Sequence, residues 1–247
     1  MPDVCLVIPC YNEEHRLRCA ELIAFLDSHA GISLCLVDDG SSDGTLQVLE
    51  AVQAQRPGRV LVVPVSPNGG KAEAVRAGVR HAAAHGDWPY IGYWDADLST
   101  PLSEVDRLLA ALHDDPSCRL AMGSRVKRLG SRIDRRITRH VLGRIFAACA
   151  TAILGISVYD SQCGAKLFRR DTVDIFFGRR FLTRWLFDLE MLVRLRNAVG
   201  AAAMDTACEV PLGRWTEVGG SKLRMREMLG VPIELLRIRA QYNSKGD

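Results

Sequence analysis

The sequence predicts an α/β fold with a central, mostly parallel sheet flanked by helices. Three observations carry that expectation. Short continuous apolar runs occupy residues 4–8, 34–37, 60–65 and 90–94, and strands apolar on both sides belong to sheets covered on both faces. Helical patterns lie between them: Leu22, Ile23, Phe25 and Leu26; Leu46, Val48, Leu49 and Val52; and an alanine-rich stretch over 71–84. Strand and helix alternating in this way build parallel sheets. Polar clusters follow three of the strands, at Pro9-Cys10-Tyr11-Asn12-Glu13-Glu14, at Asp38-Asp39-Gly40-Ser41-Ser42-Asp43-Gly44-Thr45 and at Asp95-Ala96-Asp97-Leu98-Ser99. Such sheets bind ligands beyond the carboxyl ends of their strands.

The second half is less regular. Residues 136–156 read as an amphipathic helix, 165–168 as a short strand, 185–197 as a helix and 201–210 as a strand of poor alternation. Residues 222–242 read as a basic amphipathic helix interrupted by Gly230 and Pro232. No repeat, low-complexity linker or second domain is visible. The expectation is one domain over 1–247, with a nucleotide-binding half at 1–125 and an acceptor half at 126–247.

Composition narrows the function. The 247 residues are 48% hydrophobic and 25% charged, as in globular proteins. A net charge of +3 is too small to argue for nucleic acid as a partner. The basic residues Arg125, Lys127, Arg128, Arg132, Arg135, Arg136, Arg139 and Arg144 cluster, either as a solvated face or as a surface for phosphates on a ligand or a membrane. Eight cysteines show no CxxC pair and no metal-ligand spacing, which predicts reduced thiols and a cytoplasmic protein. The chain enters a strand directly after Met1-Pro2-Asp3, so no signal peptide is expected. The most apolar window, 141–159, contains Arg144 and two glycines and reads as a core or interfacial helix rather than a membrane span.

Asp95 and Asp97 are the first candidates for chemistry. Side chains two apart on a strand point the same way, and at a strand end two carboxylates can converge on Mg²⁺ or Mn²⁺. Such an ion suits a diphosphate leaving group that gains negative charge. A solvated turn capped by Ser99 or Thr100 is the plain alternative. In the second cluster, Ser42 or Asp43 can cap the next helix. Capping leaves the adjacent Asp38 and Asp39 unexplained, and one of them could accept from a base N–H or a ribose hydroxyl. There is no GxGxxG and no P-loop. Asn68-Gly69-Gly70-Lys71 is either a plain turn or a phosphate-binding helix start, with Lys71 a cation for a diphosphate.

Together these four motifs resemble the family 2 glycosyltransferases. Asp160-Ser161-Gln162-Cys163-Gly164-Ala165-Lys166-Leu167-Phe168, Arg184-Trp185-Leu186-Phe187-Asp188-Leu189-Glu190 and Gly219-Gly220-Ser221-Lys222-Leu223 are similar to the branch acting on dolichyl phosphate, with glucose or mannose as the sugar. The resemblance implies a GT-A-type fold and transfer of a hexose, with inversion, from a nucleoside-diphosphate sugar to a polyprenyl or dolichyl phosphate. UDP-glucose is favoured as donor over GDP-mannose. It implies that Pro9, Tyr11, Asn12, Glu13, Asp38, Asp39, Gly40, Ser41, Lys71 and Ala96 line the donor pocket and that Asp95 and Asp97 hold Mg²⁺ or Mn²⁺. It also implies that Arg125, Arg214 and Lys222 face the donor or acceptor phosphate, that Gln162 and Ser221 join them in binding the acceptor or its phosphate, and that Asp188, Asp97 and Arg125 are the catalytic residues. Some relatives carry glutamine where this chain has Ser99, so a third metal ligand stays unassigned.

A hydroxyl acceptor would need a general base, for which Asp188 is the first candidate and Glu190 the second. A phosphate acceptor is already ionised and needs cations instead. A saccharide hydroxyl as acceptor, or a nucleotide-sugar binding module without turnover, are the competing functions. The amphipathic segments 145–156 and 222–242 could dock peripherally on the inner face of a membrane, or serve as core helices or a dimer interface.

Overall fold

The computed structural model describes residues 3–134, 137–218 and 225–243. Strand β1 (Val4–Cys10) leads through α1 (Cys19–Ser28) to β2 (Ile32–Asp38), and through α2 (Thr45–Gln55) to β3 (Val60–Pro64). Helix α3 (Lys71–His85) returns the chain to β4 (Tyr90–Trp94). There follow α4 (Val105–Asp114), β5 (Leu120–Ser124), β6 (Arg132–Asp134), α5 (Ile137–Leu154), β7 (Ala165–Arg169) and α6 (Val173–Phe177). The chain continues through α7 (Phe187–Val199), β8 (Ala207–Pro211), β9 (Arg214–Thr216) and α8 (Met225–Asn243).

Seven strands form one sheet in the order β3-β2-β1-β4-β7-β5-β8. Only β7 runs against its neighbours β4 and β5. It comes from the second half of the chain yet lies between two strands of the first. Strands β6 and β9 make a separate parallel pair. The order reverses direction at β1 and β4, so the crevice beyond their carboxyl ends is the expected ligand site of such a sheet.

Alternation along β1 sends Cys5 and Val7 to one face and Val4, Leu6 and Ile8 to the other. The first face packs on α3, α5, α6, α7 and α8 through Val75, Ala150, Phe176, Leu192 and Leu235. The second packs on α1, α2 and α4 through Leu22, Leu49 and Leu108. Helix α3 lies so close that a Cβ on Gly78 would sit 2.4 Å from Val7 and 2.6 Å from Val37.

Two sequence expectations are corrected. Residues Ala201–Thr206 form a 3₁₀ turn, and the strand begins only at Ala207, because three consecutive alanines carry no β signal of their own. Helix α8 runs without a break through Gly230 and Pro232. Its packing on α5 and α7 outweighs the hydrogen bond that proline cannot donate. All eight cysteines are free thiols.

Candidate active site

The three polar clusters meet at the switch point. Beyond β1, Asn12 adopts a positive φ of 51°. Its N–H donates to Ser41 Oγ at 3.0 Å and its Oδ1 accepts from the Ser42 N–H at 2.9 Å. The Glu13 N–H donates to Thr45 Oγ1 at 2.8 Å. These bonds lock the first loop onto the second. Asp38 and Asp39 are both buried. Asp38 Oδ1 accepts from the Ser41 N–H at 3.2 Å, and the Asp39 carboxylate accepts from Asn68 Nδ2 at 3.0 Å and the Gly69 N–H at 2.9 Å. Asp39 therefore joins the second loop to the start of α3. Burial raises its pKa, against the pull of the Gly69 and Gly70 N–H groups and of Arg184.

Asp95 and Asp97 follow β4. Lys71 Nζ lies 2.5 Å from Asp95 Oδ1. Burial opposes the charge on Lys71, yet Asp95, Asp188 and Asp97 together raise its pKa above the ordinary lysine value. The Asp95 carboxylate rests on the Cα of Gly164, where a Cβ would sit 1.9 Å from Oδ2, and the Asp95 N–H donates to Gly164 O at 2.9 Å. Asp97 Oδ1 accepts from the Ser99 N–H at 2.9 Å across Leu98, whose φ is 50°. Arg18 donates to the Asp97 carbonyl and, with Glu13, Arg16, Asp97 and Val218, lines a cavity of about 320 Å³. The residues present fit a hard divalent ion: two partly exposed carboxylates, one cradled against a glycine, with room for phosphate oxygens. No cluster of three or more metal-binding side chains occurs among the described residues.

Behind this edge lies a buried polar group. Lys166, on β7, is fully buried, and its Nζ sits 2.7 Å from Asp188 Oδ1. The Tyr93 hydroxyl also donates to Asp188 Oδ1. Burial, and then the Asp188 charge, push the Tyr93 phenol well above its usual pKa. Asp188 opens α7 and is 4% exposed. Glu190 is turned elsewhere. It pairs with Arg194 at 2.7 Å, accepts from the Leu182 N–H at 2.9 Å and takes the Tyr242 hydroxyl at 2.7 Å, tying α7 to α8. A base role for Glu190 is corrected on this geometry, since its carboxylate is fully buried in helix packing.

Arg125, at the end of β5, makes a bidentate pair with Asp160, Nε to Oδ2 at 2.7 Å and Nη2 to Oδ1 at 2.6 Å. Its guanidinium stacks 5.3 Å from the Trp215 ring centre. Burial opposes its charge, but Asp160 raises its pKa. Glu209 on β8 holds the Tyr159 and Asp160 N–H groups at 2.7 Å each. Beside this pair, Gln162 Nε2 is a buried donor with no partner among the described residues. The Arg214 side chain is exposed on β9, whose Thr216 N–H donates to Ser99 O at 2.9 Å.

Residues 5–176 match the family model of glycosyl transferase family 2. The chain belongs to this family. The glycosyltransferase is 31% identical, over 97% of its length, to dolichyl-phosphate beta-glucosyltransferase ALG5D of Trichomonas vaginalis, and covers 73% of that protein. It is 30% identical, over 96% of its length, to dolichyl-phosphate beta-glucosyltransferase of Homo sapiens, and covers 75% of it. A crystal structure of glucosyl-3-phosphoglycerate synthase from Mycobacterium tuberculosis in complex with Mn²⁺ and UDP-glucose aligns with a TM-score of 0.66 at 21% identity, over 97% of this chain and 79% of that one. The fold is accordingly of GT-A type, and the protein is an enzyme of glycosyl transfer.

The structure brings Asn12, Glu13, Asp38, Asp39, Gly40, Ser41, Lys71, Asp95, Ala96 and Asp97 of the glycosyltransferase to one sheet edge, beside Pro9 at the end of β1 and the half-exposed Tyr11. Ser221 and Lys222 lie outside the described residues. Sequence reading assigned no role to Lys166, Asp160, Glu209, Gly164 or Arg18. A lysine inside the apolar run Ala165-Lys166-Leu167-Phe168 was the one available signal, since an unpaired lysine is almost never fully buried.

Proposed function

We propose that the enzyme transfers glucose, with inversion, from UDP-glucose to a polyprenyl phosphate such as dolichyl phosphate. The observation that carries this reading is the state of Asp188. Asp188 is 4% exposed, and Lys166 and Tyr93 anchor it behind the sheet edge through Oδ1, so little of its carboxylate is open to a hydroxyl acceptor. A phosphate acceptor brings an oxygen that is already ionised and asks for cations. Lys71 and the Arg125–Asp160 pair stand on the same edge. The names of the relatives, matched over 90% or more of this chain, support the same acceptor and sugar.

Asp95 and Asp97 would hold Mg²⁺ or Mn²⁺, which when bound offsets the charge of the leaving diphosphate. Lys71 places a second positive charge beside that diphosphate. Asp39, with Asn12, Glu13 and Ser41, shapes the nucleoside end of the crevice. An acceptor phosphate oxygen attacks the anomeric carbon as the bond to the β-phosphate oxygen of the donor breaks. A β-linked product from an α-linked donor requires this single in-line displacement. Arg125 is held by Asp160 with its Nη1 outside the bidentate pair, and orients the acceptor phosphate.

Two measurements test the reading. UDP and UDP-glucose, rather than GDP or GDP-mannose, should raise the melting temperature in the presence of Mn²⁺. Asp188→Asn keeps an oxygen for Lys166 and Tyr93, and should slow glucosyl transfer to polyprenyl phosphate by less than ~10²-fold, below the 10²–10⁴ that a general base contributes. A larger loss, with a saccharide as the better acceptor, would move the enzyme to hydroxyl acceptors.

A further inference from the structure

Lys166 carries no assigned role, yet it is the largest charged side chain in the fully buried core. An ammonium has three N–H donors and accepts nothing. Here three acceptors surround it: Ser161 O at 2.8 Å, Cys163 O at 2.8 Å and Asp188 Oδ1 at 2.7 Å. The Tyr93 ring lies 5.4 Å away as well. No donor remains for a substrate. Taking such a charge out of water costs more than placing an apolar side chain there, so core packing alone does not account for a lysine at this position.

The two carbonyls it binds belong to one short loop, and that loop touches both halves of the site. Its Asp160 fixes the Arg125 guanidinium. Its Gly164 supports the Asp95 carboxylate and accepts the Asp95 N–H. The third acceptor, Asp188, adds to the negative charge around Lys71. Cross-strand register places Lys166 opposite Tyr93 on β4 and Met122 on β5, between the strands that lead directly into Asp95 and Arg125.

We propose that Lys166 is a positioning residue for the donor site: it clamps the 160–164 loop, and so holds Asp95 where the donor diphosphate and its ion bind, at a fixed separation from Arg125 on the acceptor side. The proposal rests on the donor-site reading above. Lys166→Met removes all three hydrogen bonds but strands the Asp188 carboxylate. Lys166→Met combined with Asp188→Asn removes the clamp without leaving that charge, and carries the test where the single variant melts too low. Asp188→Asn alone retains the hydrogen bonds of the clamp but leaves the Lys166 ammonium without its counter-charge, so its melting temperature is measured as the baseline for the double variant.

Calorimetry of UDP binding with Mn²⁺, melting temperature, and the kcat and KM of glucosyl transfer are the readouts. The double variant should regain most of the melting temperature lost by Lys166→Met. It should nonetheless bind UDP at least tenfold more weakly at fixed Mn²⁺, require more Mn²⁺ for half-maximal binding, and show a lower kcat than Asp188→Asn. A folded double variant with unaltered Mn²⁺-dependent UDP binding and the kcat of Asp188→Asn overturns the positioning role alone. Absence of UDP binding by the unaltered enzyme overturns the donor-site reading and this proposal with it.

Discussion

A methyl group on Gly164 would fall within 1.9 Å of the Asp95 carboxylate, and that contact sets the tolerance of the site at the residue scale. Gly164→Ala should therefore displace Asp95 and reduce Mn²⁺-dependent UDP binding and transfer together, by tenfold or more, while circular dichroism reports an intact fold. Unchanged nucleotide binding in this variant would contradict the support assigned to Gly164. Alanine at Asp95 and Asp97 should abolish transfer, and chelation should do the same to the native enzyme. Asp95 and Asp97 were legible in the sequence because two carboxylates, two residues apart, directly follow an apolar strand. Lys166 and Asp160 were not, since each acts through a partner 22 or 35 positions away, and no local pattern encodes that distance.

Helix α7 shows how an element can carry two acids with different tasks. Asp188 and Glu190 are separated by about 200° around a helix of 3.6 residues per turn, so they face different neighbours. Asp188 looks to β4 and β7, and Glu190 to α8. Arg194 joins Glu190 to the Phe176, Arg179 and Arg180 carbonyls at 2.6 to 2.9 Å and to the Tyr242 hydroxyl at 2.8 Å. Arg194→Met should destabilise the enzyme by ~3–5 kcal/mol, the usual cost of breaking a buried ion pair on one side, as read by urea unfolding. Mn²⁺-dependent UDP binding by the folded fraction should stay near its native value. The strands and helices of the first half were readable because each burial pattern is local. The short β6 and β9, three residues each, gave no such pattern.

At the scale of the whole molecule, α5 and α8 pack together and leave apolar side chains outward. Ile145 is 55% exposed on α5, and Ile233 and Leu236 are 64% and 53% exposed on α8. No helix among the described residues is long and apolar enough to cross a membrane. An acceptor with a lipid tail fits a face of this kind, and because Arg237 and Arg239 are also exposed on α8 we propose that these helices rest on an anionic bilayer. Ile233→Asp with Leu236→Asp should weaken sedimentation with anionic vesicles at least tenfold, since each such side chain contributes ~1.5–3 kcal/mol when buried. UDP binding should be unaffected, and added salt should weaken the vesicle binding of the native enzyme.

Much about this glycosyltransferase was determined by the chain read as a string. Apolar runs of strand length and helices of 3.6 periodicity specified the sheet, and the polar clusters after three strands marked its working edge. Their order identified the family. Tertiary structure alone decided which acids remain available for chemistry. Asp188 and Glu190 are both carboxylates near the start of one helix; Glu190 finds Arg194 one turn along that same helix, whereas only packing pairs Asp188 with Lys166 on β7. Tertiary structure likewise decided that an antiparallel β7 enters between β4 and β5, which brings Gly164 beneath Asp95. The physical reason is range. Hydrophobic periodicity is written in neighbours a few residues apart, whereas a buried charge finds its counter-charge wherever the fold delivers one.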